Sequence, residues 1–198
     1  MSSFLRHQLL PAFALLVALS IATGVAYPLA VTAVAQVAFP AQANGSMIVV
    51  DGKTVGSTLI GQAFSDPKYL WGRPSAAGVT DENPGGYDAN ASAGSNLGPT
   101  SQDLIDRVTA AVDQYRLENG HAPVPVDLLT TSGSGLDPEI SPAAADYQVA
   151  RIAAARGIGE DVVRAAIGRH TEQPLLGFLG MPRVNVLLVN LDLDGHMP

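Results

Sequence analysis

The run Leu9–Phe39, LLPAFALLVALSIATGVAYPLAVTAVAQVAF, decides the architecture. It lies within 44 residues, between Arg6 and Asp51, that contain no Asp, Glu, Lys or Arg. A bilayer core asks for about 20 apolar residues. At about 1.5 Å per residue a helix this long exceeds the ~30 Å hydrocarbon layer, so one span is expected, with its far end outside the lipid. The competing reading is a secretory signal, with Arg6 as a short positive n-region and Ala33-Val34-Ala35 as a cleavage signature. Signal h-regions run about 7–15 residues, less than half of this stretch, which favours an uncleaved anchor.

Inside the span, Pro28 has no N–H to offer the carbonyl of Gly24, so the helix is expected to kink between Gly24 and Pro28 or to end there. Gly24, Ser20 and Thr23, together with Ala18 and Ala22, form a small-residue surface suited to a second transmembrane helix; the same residues also suit a helix that only faces lipid. Arg6 and the terminal amine are the cations before the span, which places the N-terminus in the cytoplasm. The expected organisation is a short cytoplasmic 1–8, a transmembrane helix and its exit at 9–39, and a periplasmic or otherwise extracytoplasmic domain at 40–198.

Beyond Arg6 the chain carries 10 Lys+Arg against 18 Asp+Glu, a formal charge of −8, which argues against nucleic acid as a partner because phosphates would be repelled. The absence of cysteine removes disulfides, thiolate metal sites and thiol nucleophiles together. With 20 Gly and 14 Pro the outer domain is expected to be rich in ordered loops, above all Asp81–Thr100, DENPGGYDANASAGSNLGPT.

Met47–Val50 and Lys53–Ile60 flank Asp51-Gly52, the dipeptide of a type I′ hairpin. Thr100 and Asp103 have capping-box spacing, and Leu104, Val108, Ala111, Val112 and Tyr115 recur at helical intervals, predicting a helix over Ser101–Glu118 closed by Gly120. Ser141-Pro142 opens another, which Arg156-Gly157 closes, and Glu160–Arg169 continues as a shorter one. The apolar run from Val184 reads as a buried strand. Together these elements predict an α+β fold: a single N-terminal transmembrane helix followed by one loop-rich extracytoplasmic α+β domain.

Fragments of catalytic motifs fail on spacing. Gly52-Lys53-Thr54 lacks the preceding glycine of a phosphate loop, since Met47 stands there. Ser65-Asp66-Pro67-Lys68 has neither partner motif of a penicillin-recognising enzyme, and Ser132 occupies the first glycine position of a nucleophile elbow around Ser134. Asp192, Asp194 and Gly195 open like a calcium loop without the closing Glu, and His7, His121, His170 and His196 show no metal-ligand spacing.

The remaining motifs are conformational. In chain order they are Tyr27-Pro28, Phe39–Ser46 (FPAQANGS), Gly56–Gln62 (GSTLIGQ), Gly72–Ala76 (GRPSA), Ser95–Thr100 (SNLGPT), Leu129–Pro138 (LTTSGSGLDP), Gln148–Arg151 (QVAR) and Leu179–Val186 (LGMPRVNV). This series resembles the C subunits of bacterial Kdp-type potassium-transporting ATPases. Two positions depart from the family pattern: Trp71, where an aromatic-then-polar pair is commoner, and Glu139, where His is expected.

The resemblance implies a non-catalytic accessory subunit of an ATP-driven, high-affinity potassium uptake complex in the bacterial inner membrane. Its partners would be a channel-like potassium-translocating subunit, a P-type ATPase catalytic subunit and a small single-span subunit, besides the lipid bilayer. It would stabilise assembly and act at the outer potassium entrance. The complex uses ATP, Mg and K, and none is expected on this subunit; no catalytic or metal residues carry over. The motif residues then have two readings. Ser95, Asn96, Thr130, Thr131, Ser132, Asp137 and Asn185 read as turns and caps. Arg73, Gln148, Arg151 and Arg183 read as partner contacts. Asp81, Glu82 and Asp88 form an acidic loop that would attract cations, or simply solvate the surface. The alternative is a secreted periplasmic hydrolase, carried by Ser65 or Ser134, or a ligand-binding protein, either one freed by cleavage after Ala35.

Overall fold

The computed structural model describes residues 2–196. The chain divides into two compact units, Met1–Met47 and Ile48–Pro198. The first unit is built on helices α1 (Ser2–Ile21) and α2 (Tyr27–Ala38), joined by a π-helical turn over Ala22–Ala26. A single helical turn, α3 (Pro40–Ala43), follows. Among the described residues, Phe4–Ala38 is the one helix long and apolar enough to cross a membrane, and none of its most apolar stretch is buried.

Pro28 neither ends this helix nor leaves a gap in it. In the π turn the Tyr27 N–H bonds to the carbonyl of Ala22, five residues back, so the ladder widens just ahead of the proline and resumes after it. Thr23 donates to the carbonyl of Leu19 at 2.7 Å, which satisfies its hydroxyl within the helix.

The second unit is α+β. Strands β1 (Met47–Val50) and β2 (Lys53–Ser57) pair across Asp51-Gly52, whose φ angles of +49° and +75° are both positive, as a type I′ turn requires. No helix or strand is assigned between Ser57 and Gln102, apart from an isolated bridge between Ser57 and Ile60. Helix α4 (Gln102–Asn119) starts after Ser101, which makes no side-chain cap; the expected capping box at Thr100 does not form. Its predicted stripe is the half-buried face, with Tyr115 fully inside.

Three short strands, β3 (Glu139–Ile140), β4 (Thr171–Glu172) and β5 (Arg183–Asn185), make an antiparallel sheet in the order β3-β5-β4. Against it pack α5 (Pro142–Asp146) and α8 (Val186–Leu193), while α7 (Glu160–Arg169) packs on both of these helices and on α6 (Val149–Arg156). The core includes Ile140, Val149, Ile152, Val163, Val184 and Val189, with Leu70 and Trp71 supplied by the irregular segment.

Two predicted elements differ. The helix expected over 142–156 is broken at Tyr147-Gln148, because the Gln148 side chain takes the Ala144 carbonyl that the helix would use at that turn. The terminal run is a strand only to Asn185. That side chain accepts the Leu188 N–H at 3.1 Å and caps α8, a helix buried on nearly every face and therefore without a 3.6-residue pattern.

Candidate functional site

Leu70 and Trp71 cross the core as irregular chain, and their backbone groups cannot be left unpaired there. Two side-chain amides take the place of neighbouring strands. Asn190 of α8 accepts the Leu70 N–H at 2.7 Å and donates to the Leu70 carbonyl at 2.9 Å. Gln148 accepts the Trp71 N–H at 3.0 Å and donates to the Trp71 carbonyl at 3.1 Å. Both amides are buried. Nothing in the sequence pattern separates Asn190 from its apolar neighbours except that it is a polar residue in the run VLLVNL.

Arg151 closes the same knot. Its guanidinium lies 3.8 Å over the Trp71 ring and donates to Gln148 Oε1 at 2.7 Å, to Asn119 Oδ1 at 3.0 Å, and to the carbonyls of Tyr69 at 3.1 Å and of Pro67. Burial lowers its pKa to about 10, which still leaves it charged at neutral pH. Arg156, one helical turn on, donates to Lys68 O, Leu193 O and Asp194 Oδ1 at 2.7–2.8 Å. The segment Asp66–Trp71 is therefore held by side chains of α6 and α8. Gln148 and Arg151, expected at a partner surface, lie in the interior, where a loop without ladder partners, together with Asn119 and Ala144, takes up their hydrogen bonds.

Arg73 is bound in the same manner. It donates to Asp137 Oδ2 at 3.2 Å, to the Thr130 carbonyl at 3.2 Å and to Thr130 Oγ1 at 3.3 Å. Asp137 also accepts the Glu139 N–H at 3.0 Å. Ser75 donates to Gly135 O at 2.6 Å and accepts the Tyr87 N–H at 2.8 Å, while Tyr87 Oη donates to Arg73 O at 2.7 Å. Burial, helped by Asp137, pushes the Tyr87 hydroxyl up to about 12. Gly61 sits where a Cβ would strike the Tyr87 ring and lie 2.6 Å from the Asp137 carbonyl oxygen. Loops 61–63, 73–77, 87 and 130–137 are thus one interlocked layer.

The other predicted residues fall as follows. Thr131 donates to Ser95 Oγ at 3.2 Å, Thr130 to Val126 O at 2.9 Å, and Ser132 accepts the Gly135 N–H at 2.9 Å. Asn96 adopts φ = +52°, and Asn185 joins its helix cap to Thr58 O at 2.9 Å. Ser134 accepts the Leu136 N–H at 3.2 Å, a turn contact. Arg183 is exposed and bridges Glu172 at 2.6 Å and Glu139 at 2.9 Å across the sheet. Burial raises the Glu139 pKa, with Arg183 opposing it. Asp81 and Glu82 are exposed, whereas Asp88 accepts from the Asn90 N–H at 2.8 Å. Gly24, Ser20, Thr23 and Pro28 lie on or beside the π turn, all exposed.

One family, K+-transporting ATPase, c chain (KdpC), matches residues 9–195. Similar full-length relatives carry the name Potassium-transporting ATPase KdpC subunit. The one from Sorangium cellulosum (strain So ce56) is 59% identical over 190 residues, covering 95% of this chain and 97% of the relative. That from Rhodopseudomonas palustris (strain BisB18) is 54% identical over 193 residues, covering 94% and 97%. A third, from Polaromonas naphthalenivorans (strain CJ2), is 54% identical over 196 residues, covering 98% and 97%. With a match from the apolar helix to the last helix and more than half of the residues identical across the whole length, this chain belongs to the KdpC family, the c chain of potassium-transporting ATPases.

Proposed function

We propose that the chain is the non-catalytic accessory subunit of an ATP-driven potassium uptake complex. It stabilises the assembly of a channel-like potassium-translocating subunit with a P-type ATPase catalytic subunit and a small single-span subunit, and it acts at the outer potassium entrance. It crosses the inner membrane once, with its N-terminus in the cytoplasm and residues 40–198 in the periplasm. ATP, Mg and K serve the complex and are not bound by this subunit. The observation that carries this reading is the helix Phe4–Ala38 of a KdpC-family chain, free of charge beyond Arg6 and exposed along nearly all of its length, which needs lipid and partner helices to cover it. The clasped arginines and amides support a scaffold role, since they fix loops rather than present reactive groups. Release of a hydrolase or ligand binder after Ala35 is not favoured in a chain of this family.

Detergent extraction of native membranes followed by pull-down tests the reading. The intact chain is expected to bring down the pump subunits, and protease added to spheroplasts is expected to digest the domain. A mature chain beginning at Gln36, or a domain protected from the protease, overturns it.

A further inference from the structure

A cavity of about 620 Å³, within the usual range for small-molecule sites, opens between α4 and the loops that precede and follow it. Its apolar wall is built from Phe64, Trp71, Val79, Leu97, Tyr115 and Leu128. Among the described residues the charged side chains on that wall are Arg73 and Arg107, and no Asp or Glu lines it, in a chain with 18 acidic residues against 11 Lys and Arg. The cavity is therefore a local reversal of the charge around it.

The two arginines differ. Arg73 is met by Asp137 at 3.2 Å and by Thr130. Arg107 reaches the Leu129 carbonyl alone, with Nη1 at 3.4 Å, and no carboxylate pairs with it among the described residues. Its Nε is buried without a hydrogen-bond partner, the one such side-chain atom among the described residues. A buried donor left unpaired carries its full desolvation penalty, so its presence calls for a cause outside the domain's own contacts. The carbonyls of Leu129, Thr130 and Thr131 accept from the two guanidiniums at 3.2–3.4 Å, so both cations hang on one short loop with a single carboxylate for the pair.

We infer that the cavity binds a small organic acid, one carboxylate on an apolar body, with Arg107 as its anchor. The carboxylate takes guanidinium N–H groups that the domain leaves unused, and the body lies against the aromatic and aliphatic wall. Arg107, Ala111 and Tyr115 follow one another at four-residue steps on α4, so one helix face sets the charged end and the apolar end of the cavity in line. The eight residues from Arg107 to Tyr115 span about 12 Å, which bounds the length of the acid. A bare inorganic anion would leave the wall uncovered, and a neutral apolar compound would leave Arg107 unpaired. The inference rests on the outer domain's own geometry and stands whichever subunits accompany it.

Trp71, the single tryptophan of the chain, lines the cavity and reports on it. In the full chain in detergent, phenylbutyrate is expected to change the Trp71 emission saturably and to raise the melting temperature. Phenylbutyramide, the same body without the charge, and inorganic phosphate, the charge without the body, are each expected to bind at least tenfold more weakly. Arg107→Met is expected to weaken phenylbutyrate binding at least tenfold, while the melting temperature of the unliganded chain stays level or rises because an unpaired buried donor is gone. Arg116→Gln, at an exposed position of the same helix, leaves both readings unchanged. Ala111→Phe, which fills the cavity from its half-buried wall without altering a charge, is expected to abolish binding. The inference is overturned by an emission that does not saturate, by amide or phosphate binding as tight as that of phenylbutyrate, or by unchanged binding in Arg107→Met. If Arg107→Met lowers the melting temperature instead, Ala111→Phe decides, and binding retained in that variant overturns the site.

Discussion

Gln148 and Asn190 show how single side chains replace secondary structure. Each supplies one acceptor and one donor to a buried peptide, as a strand neighbour would. Removing either leaves two buried backbone groups unpaired, and an unmet buried group costs about 1–3 kcal/mol. Gln148→Met and Asn190→Leu, close in volume to the native residues, are each expected to lower stability by about 2–4 kcal/mol, measured by urea unfolding of the detergent-solubilised chain. A loss below about 0.5 kcal/mol, the usual range for surface substitutions, would mean that water replaces the amide. Asp192 offers a second residue-scale test. Arg169 at 2.8 Å, with His170 at 2.9 Å behind it, holds its pKa below the usual carboxylate range. A depressed carboxylate stabilises the fold above the ordinary Asp range and loses that contribution as pH falls through the folded value. Asp192→Asn is therefore expected to cost about 1–2 kcal/mol at pH 7. The gap to wild type in thermal melts should start to narrow as pH falls below the ordinary Asp value of about 4 and close once pH passes below the depressed folded value. A gap that does not narrow at all as the pH is lowered through the acid range would contradict the ionic origin.

At the scale of elements, the π turn over Ala22–Ala26 sets the phase between the two halves of the apolar helix. Deleting Ala18, one residue of the regular ladder of α1, would turn the half before it against the rest by about 100° and shorten the helix by ~1.5 Å, so the residues facing a partner would change while hydrophobic length hardly does. The deletion is expected to leave membrane insertion intact and to loosen the complex in detergent, read by co-purification. Gly24→Leu is expected to act in the same direction by adding bulk where Gly24 has no neighbour within 4 Å in the chain alone. If both variants yield complex at the wild-type level, the helix is an anchor only. Helix α8 makes the complementary point. Its sequence VLLVNLDL has too little polar contrast to show a period, and only the cap at Asn185 marks it as helix rather than strand.

On the whole-molecule scale, the formal charge of −8 beyond Arg6 faces the side from which a scarce cation would be taken up in the proposed orientation. Its influence is local, because exposed charges beyond about 8 Å are screened at physiological ionic strength. Asp81 and Glu82 are solvent-facing, and Asp88 keeps its turn contact if replaced by Asn. The triple variant Asp81→Asn, Glu82→Gln, Asp88→Asn is expected to weaken apparent potassium affinity about two- to threefold at low salt and less at high salt, with the complex intact. Potassium-dependent ATP hydrolysis of the purified complex measures this. Equal affinity at low ionic strength leaves the acidic loop with a solvating role alone.

The long apolar helix over Leu9–Ala38, the Asp51-Gly52 hairpin, the helices closed by Gly120 and Gly157, and the family itself were legible in the sequence because each rests on local signals: apolar length, turn chemistry, caps and the order of short motifs. The fates of Arg73, Gln148, Arg151 and Asn190 were not. A long-side-chain arginine or an amide reads equally as surface or interior until its partners are known, and the backbone groups that draw these four inward lie 57–120 residues away in the chain. Only the tertiary structure brings Asp66–Arg73 between α6, α8 and the 130–137 loop, where backbone that has no strand beside it must be hydrogen-bonded by side chains, and that requirement, absent from any local window, turns expected contact residues into the internal clasp of the domain.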